Sequence, residues 1–286
     1  MTLINTQTEL NSNLTKKALA QKLGVSRSGL YYQKKRTLID QEVRVQIEVV
    51  MTDNPRYGHK RIALNLKLNK KRILRVMKKF NLKPYRRRAN KPRKKADEGK
   101  TPAKYANLIK GFCPIRPNVV WVSDFTYIKY QGRFIYLATI MDLYTREIIG
   151  WNISRFHNQE LVLGALTDAL EKIGETSDYF HSDQGSEYDS LSFTSFLDNL
   201  KTQISMSKKG SPWENGFQES FYSEFKMDLG DQNRFEQLGE LVEAIHQTIN
   251  YYNTKRIHTS LKMSPKEFKA KFYRKTLDTV SKKRGT

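Results

Sequence analysis

The spacing of hydrophobic positions changes along this chain. Between residues 14 and 83 they recur at helical intervals. Leu14, Ala18, Leu19 and Leu23 share one side of a first helix. Gly24 can stop it, and Ser26 can cap a second helix from about Arg27 to Lys34, so residues 14–34 predict a helix-turn-helix. Val43, Ile47 and Val50 form a stripe on a further helix. Asn54-Pro55-Arg56-Tyr57-Gly58 breaks that stripe, and Ile62, Leu66, Ile73, Val76 and Met77 continue a second helical unit. Pro84 to Lys104 has no apolar period. From residue 116 the pattern turns to strands. Val119–Ile128, Phe134–Leu143 and Glu147–Ile153 predict three, the first two joined by the hairpin signal Gln131-Gly132. Glu160–Ile173 is helical, with Leu161, Ala165, Leu166, Ala169 and Leu170 on one side. Asp178–His181 and Gln203–Met206 predict two more strands, with a helix over Leu191–Leu200 between them. Phe217–Leu229 reads as a final helix whose one face is anchored by Phe217, Phe221 and Phe225. The order β-β-β-α-β-α-β-α predicts an α/β domain, a mixed five-stranded sheet with helices on its faces, preceded by all-α units. The first and fourth strands can lie side by side in it.

Charge divides the chain differently. Residues 1–100 hold 27 Lys/Arg against 7 Asp/Glu, residues 101–254 hold 13 against 20, and residues 255–286 hold 11 against 2. From Lys70 to Lys95, 14 of 26 residues are basic and none is acidic. Basic arms around an acidic centre favour a nucleic-acid partner held through its phosphates. The expected divisions are a helix-turn-helix at 1–36, a second helical DNA-binding unit at 37–83, a basic linker at 84–115, a catalytic domain at 116–254 and a basic C-terminal segment at 255–286. Arg27 and Ser28 stand at the N-terminal end of the second helix, the end that reads base edges in such motifs. Arg72, Arg86, Arg87 and Arg88 in the basic stretch, and Lys208 and Lys209 after the fifth strand, are further candidate DNA contacts. The longest apolar run, Phe134 to Met141, is too short to span a bilayer, and Met1 to Asn13 is too polar for a signal segment. Cys113 is the only cysteine, which excludes an internal disulfide framework and a cysteine-rich zinc site. A cytoplasmic, nucleoid-associated protein is expected.

The candidate chemistry lies in three acids on separate elements: Asp124 in the first strand, Asp183 at the end of the fourth, and Glu219 on the last helix. Between Asp183 and Glu219 lie 35 residues. Converging carboxylates need divalent metal to offset their repulsion, and oxygen ligands favour Mg²⁺, or Mn²⁺ in its place. Two ions about 3.5–4 Å apart would serve an in-line displacement at phosphorus. Asp142 reads as a turn-initiating acid paired with Arg146 rather than a ligand. Glu187, Asp189 and Glu214 read as supporting or surface acids, and His181 as structural. No Gly-rich nucleotide loop is present.

Three segments, Trp121 to Tyr127, His181 to Tyr188 and Ser205 to Phe221, resemble bacterial insertion-sequence transposases of the OrfB type, DDE transposases with a retroviral-integrase-like core. Tyr252 to Leu261 and Ser264 to Phe268 resemble the C-terminal signature of that family. The resemblance implies an RNase H-like core with Asp124, Asp183 and Glu219 as catalytic, metal-binding triad. It implies Mg²⁺-dependent 3′-end cleavage, strand transfer by the freed hydroxyl, and homo-multimers acting on terminal inverted repeats and target DNA. Glu214, Gln184 and Ile257 depart from residues common in that family. A non-catalytic DNA-binding regulator and an RNase H-type nuclease are the alternatives.

Overall fold

The computed structural model describes residues 15–22, 24, 26–28, 35–85, 104–208 and 212–284. The chain forms two compact units, Met1–Arg86 and Arg87–Thr286. The expected contacts Arg86, Arg87, Arg88 and Lys209, and most of the second helix expected after Arg27, lie outside the described residues.

In the first unit, α1 (Lys16–Lys22) ends before Gly24, whose φ of +63° suits a residue without Cβ. α2 (Lys35–Asp53), α3 (His59–Asn65) and α4 (Lys70–Lys79) follow. Val43, Ile47 and Val50 of α2, Ile62 of α3, and Ile73, Val76 and Met77 of α4 are all buried. Asn69 caps α4 by accepting from the Lys71 N–H at 2.8 Å. One buried acid holds α2 to α4: Arg75 donates to both oxygens of Asp40 at 2.6 Å, and Lys79 adds a third bond at 3.0 Å. The Arg75 hydrogen bonds, against the effect of burial, keep the Asp40 carboxyl well below the usual carboxylate range.

The second unit is built on a five-stranded mixed sheet of β1 (Val120–Tyr130), β2 (Arg133–Asp142), β3 (Ile148–Ser154), β4 (Tyr179–Ser182) and β5 (Gln203–Met206), in the order β3-β2-β1-β4-β5. β1, β2 and β3 are antiparallel neighbours; β4 and β5 run parallel to β1. The expected hairpin is present, and Gln131 and Gly132 both take positive φ, as its tight turn requires. α5 (Gln159–Ile173) and α6 (Leu191–Asn199) cover one face, around Trp121, Leu166, Phe180 and Phe193. α5 sits so close to β3 that a Cβ on Gly150 would stand 2.4 Å from the Ala165 carbonyl. α7 (Gly216–Leu229) and α8 (Leu238–Thr254) cover the other, around Val122, Phe221, Phe225, Leu241 and Ile245.

Three features differ from the reading of the sequence. α8 and α9 (Pro265–Arg284) were not anticipated, although Leu241, Ile245, Ile249 and Tyr252 carry a helical period. Phe217 does not anchor α7 with Phe221 and Phe225. It lies in the first turn, 43% exposed, with the Arg146 guanidinium 3.9 Å above its ring. Asp142 initiates its turn as expected, accepting from the Thr145 N–H at 2.7 Å and Oγ1 at 2.6 Å, and its charge still acts on the Arg146 guanidinium. Finally, residues 104–109, expected within the linker, form a strap along β5. Met206 N–H donates to the Ala106 carbonyl at 3.3 Å and Leu108 N–H to Ser205 Oγ at 2.9 Å. Among the described residues no helix is long and apolar enough to cross a membrane.

Candidate active site

β1 outruns β4. Their parallel pairing ends near Val122 opposite His181, so Asp124 lies two residues further along β1 and Asp183 just past the end of β4. The alternation of a strand puts Asp124 on the face of Val120 and Val122, under α7. Three side chains of the α7 segment bind three consecutive carbonyls of β1. Gln218 Nε2 donates to Val122 at 2.7 Å, Asn215 Nδ2 to Ser123 at 3.1 Å, and Tyr222 Oη to Asp124. Gln218 and Tyr222 also engage Thr139 Oγ1 of β2, which donates to Gln218 Oε1 at 3.1 Å. Gln218 is fully buried. Its neighbour Glu219 is exposed on α7, close enough for its charge to act on Asp124.

The electrostatics follow from this crowding. Burial raises the Asp124 carboxyl to about 7, and the charges of Asp183 and Glu219 add to the rise. The Phe125 N–H, 2.8 Å from Oδ1, and Lys226 oppose it. Asp183 is also raised, by burial and by Glu187, against a bond from the Gly185 N–H at 3.1 Å. Lys226 is two turns beyond Glu219 on α7. Its ammonium lies 4.4 Å from the Tyr127 ring centroid, and burial lowers its pKa while Asp124 supports its charge. An all-oxygen set of crowded acids fits a hard divalent cation, which would relieve this repulsion. As the side chains stand, no three His, Cys, Asp or Glu among the described residues are gathered closely enough to hold one ion.

The acids read as supporting have distinct places. Glu214 Oε2 accepts from the Lys208 N–H at 2.9 Å and Asn107 Nδ2 at 3.0 Å, fixing the loop before α7 to the strap. Gln184 Nε2 secures the same loop by donating to the Ser207 carbonyl at 3.1 Å. Asp189 pairs with Lys104 at 2.8 Å. Glu187 Oε1 is 2.8 Å from His157 Nδ1. His181 is buried with Nδ1 2.9 Å from Ser205 Oγ, and burial lowers its imidazole to about 4, so it stays neutral. Of the expected DNA contacts, Lys208 is exposed beside this loop. Arg72 is exposed on α4, and Arg27 and Ser28 are exposed in the turn after α1. The sequence reading missed Lys226, whose seven-residue spacing from Glu219 was the available signal. It also missed Asn215, Gln218 and Tyr222, which share one helical side.

Residues 114–212 match the family described as integrase core domain, and residues 200–265 match a second family of the same description. The transposase for insertion sequence element IS904 of Lactococcus lactis subsp. lactis is 39% identical over 166 residues, covering 57% of this chain and 66% of that one. The insertion element IS600 uncharacterized 31 kDa protein of Shigella sonnei is 30% identical over 269 residues, covering 89% of this chain and 98% of that one. Among solved structures, a simian T-cell lymphotropic virus intasome in complex with PP2A regulatory subunit B56 gamma aligns with a TM-score of 0.50 and 15% identity, over 78% of this chain and 74% of that chain. That likeness is one of fold, an RNase H-like integrase core. With its sheet order, its integrase core and a relative matched over nearly its whole length, the chain belongs to the insertion-sequence transposases.

Proposed function

We propose that the protein binds the terminal inverted repeats of an insertion sequence, cleaves a DNA strand at each end and joins the freed 3′-hydroxyl to target DNA, working as a homo-multimer. Asp124, Asp183 and Glu219 are the catalytic residues and the ligands of Mg²⁺, with Mn²⁺ as a substitute and two ions per site. The observation that carries this reading is α7 bound across β1 through Gln218, Asn215 and Tyr222 beside the end of the β1/β4 pairing, where burial, with the charges of Asp183 and Glu219 adding to it, raises the Asp124 carboxyl to about 7. When bound, the metal supplies Lewis acidity at phosphorus and lowers the pKa of the attacking water or hydroxyl. The protein contributes position. Gln218, Asn215 and Tyr222 fix the helix that carries Glu219 against the strand that carries Asp124. Lys226, half-buried beside Asp124, offers an ammonium to a scissile phosphate. Lys208, Arg72, Arg27 and Ser28 are exposed for phosphate or base contact, and Arg86, Arg87, Arg88 and Lys209 complete the basic set.

The test is incubation of the protein with a labelled inverted-repeat end and Mg²⁺. Nicked and joined products are expected from the wild type. Glu219→Gln should cut cleavage by a hundredfold or more, on the order of the loss seen when a positioned catalytic group is removed, while DNA affinity changes little. Retained cleavage by this variant would remove Glu219 from the triad. Nicks without joined products would indicate a simple nuclease, and binding without either would indicate a regulator.

A further inference from the structure

We propose that His157, backed by Phe125 and Tyr136, is a stacking platform for an unpaired DNA base next to the cleaved phosphate. This deepens the strand-cleavage reading and rests on it. The imidazole lies parallel to the Phe125 ring, with centroids 6.1 Å apart and 7° between planes, and 4.9 Å from the Tyr136 centroid. Its orientation is fixed from below, because Nδ1 is 2.8 Å from the buried carboxylate of Glu187. Yet the His157 side chain remains 56% exposed. A ring locked in orientation and left open to solvent is prepared for something to lie on it.

Its position says what that is. Phe125 follows Asp124 in β1 and therefore faces the opposite side of the sheet, so the platform's link to the candidate acids runs through Glu187. Glu187 follows Asp183 by four residues, and a Cβ at Gly185 would stand 2.8 Å from Glu187 Oε2 and 3.1 Å from Asp183 Oδ1. His157 is therefore tied through one carboxylate to the surroundings of the second acid. The aromatic surface also continues outward. Tyr127 pairs across the sheet with Tyr136, and its ring meets Phe134 edge-on at 5.3 Å, with both rings more than half exposed. Such a surface has little use for a folded duplex, whose bases already stack on each other. It suits a strand whose end has been opened, since every base offers a π-face and aromatic side chains hold it with little regard to sequence. Opening a terminal base pair exposes the neighbouring phosphate, and enzymes that work on a base or its linkage commonly move bases out of the stack.

The experiment compares wild type, His157→Ala and His157→Phe on two labelled duplexes carrying the element's terminal repeat. One is fully paired and the other is mismatched at the base pair beside the cleavage site. His157→Ala should cleave the paired end about tenfold more slowly, the scale of one base–aromatic stack, and the deficit should shrink on the mismatched end. His157→Phe, which keeps a ring but loses the bond to Glu187, should recover most of the loss. A 2-aminopurine placed at the mismatched position, read by fluorescence on binding without divalent metal, should be quenched by wild type and His157→Phe more than by His157→Ala. Equal cleavage by all three proteins on both ends overturns the platform while leaving the cleavage reading intact. A loss in His157→Phe as deep as in His157→Ala also overturns it, because the role would then be support of Glu187. Should wild type cleave neither end, the strand-cleavage reading fails and the platform falls with it.

Discussion

Asp124 combines two demands on one carboxylate: folding prefers it protonated, and chemistry with a cation requires it ionised. Its folded pKa of about 7 is above the ordinary value, so the folded state binds the proton more tightly than the unfolded chain. The stability it contributes is full below about pH 4 and is lost as pH rises through about 7. In the absence of divalent metal, Asp124→Asn should therefore raise the thermal midpoint at pH 8, reflecting a gain in unfolding free energy on the order of a few kcal/mol, and leave it nearly unchanged at pH 4. Adding Mg²⁺ at pH 8 should stabilise wild type more than the variant, because only wild type has the full charge to relieve. A midpoint lowered at pH 8 would show that this carboxyl is not strained by its neighbours. At this scale the candidate acids were legible in different ways: Asp124 interrupts an apolar run, Asp183 ends one, and Glu219 stands at the opening of a helix with 35 residues between it and Asp183. Gln218 was not legible. A glutamine on a helix reads as surface, and only the packing of α7 on β1 reveals it as a buried donor to Val122 and Thr139.

Among the elements, α7 carries the greatest share of the site, and it is held from two sides. Toward the sheet, Asn215, Gln218 and Tyr222 bind β1. Away from it, Arg256, 3% exposed in the segment after α8, forms ion pairs with Glu224 and Asp228 of α7. Asn253, in the last turn of α8, brackets β3, with Nδ2 donating to the Ile148 carbonyl at 2.8 Å and Oδ1 accepting its N–H at 2.9 Å. The C-terminal signature is thus a clamp on elements that come much earlier in the chain. Arg256→Ala should remove a buried cation that pairs with both Glu224 and Asp228 and cost about 3 kcal/mol in denaturant unfolding. A change near zero would mean that these pairs are no stronger than surface ones. The strands and α5 were readable because local period and burial agree there. β1 even shows both regimes, buried throughout at Val120–Ser123 and alternating from Thr126 onward. The clamp was not readable, because a basic residue in a basic tail gives no sign that its partners lie some thirty residues upstream.

For the molecule as a whole, the charge map and the fold divide the chain in different places. Basic residues dominate up to Lys100, whereas the compact units divide the chain between residues 86 and 87. The last basic segment is in part a folded helix. Phe268 and Phe272 of α9 pack around Tyr144 at 5.3 and 5.4 Å, and Lys269 reaches Glu147 at 2.9 Å. Composition alone separated an acidic centre from its basic flanks but could not say which basic residues serve packing, since Arg75, Lys269 and Arg256 look like any others until their acids are located.

The strap at residues 104–109 has a consequence for self-association. β5 is the outermost strand of the sheet, and an uncovered strand edge is a template on which another chain can add its own strand. Ala106 occupies the Met206 N–H, and Leu108 closes the neighbouring position through Ser205. A fragment beginning at residue 114, where the integrase core match starts, would lose this cover and also the Asn107 partner of Glu214. It should scatter light and sediment as larger species at concentrations where a fragment beginning at residue 104 remains dispersed. Equal dispersion of the two would mean that the edge is protected by its own shortness, four residues from Gln203 to Met206.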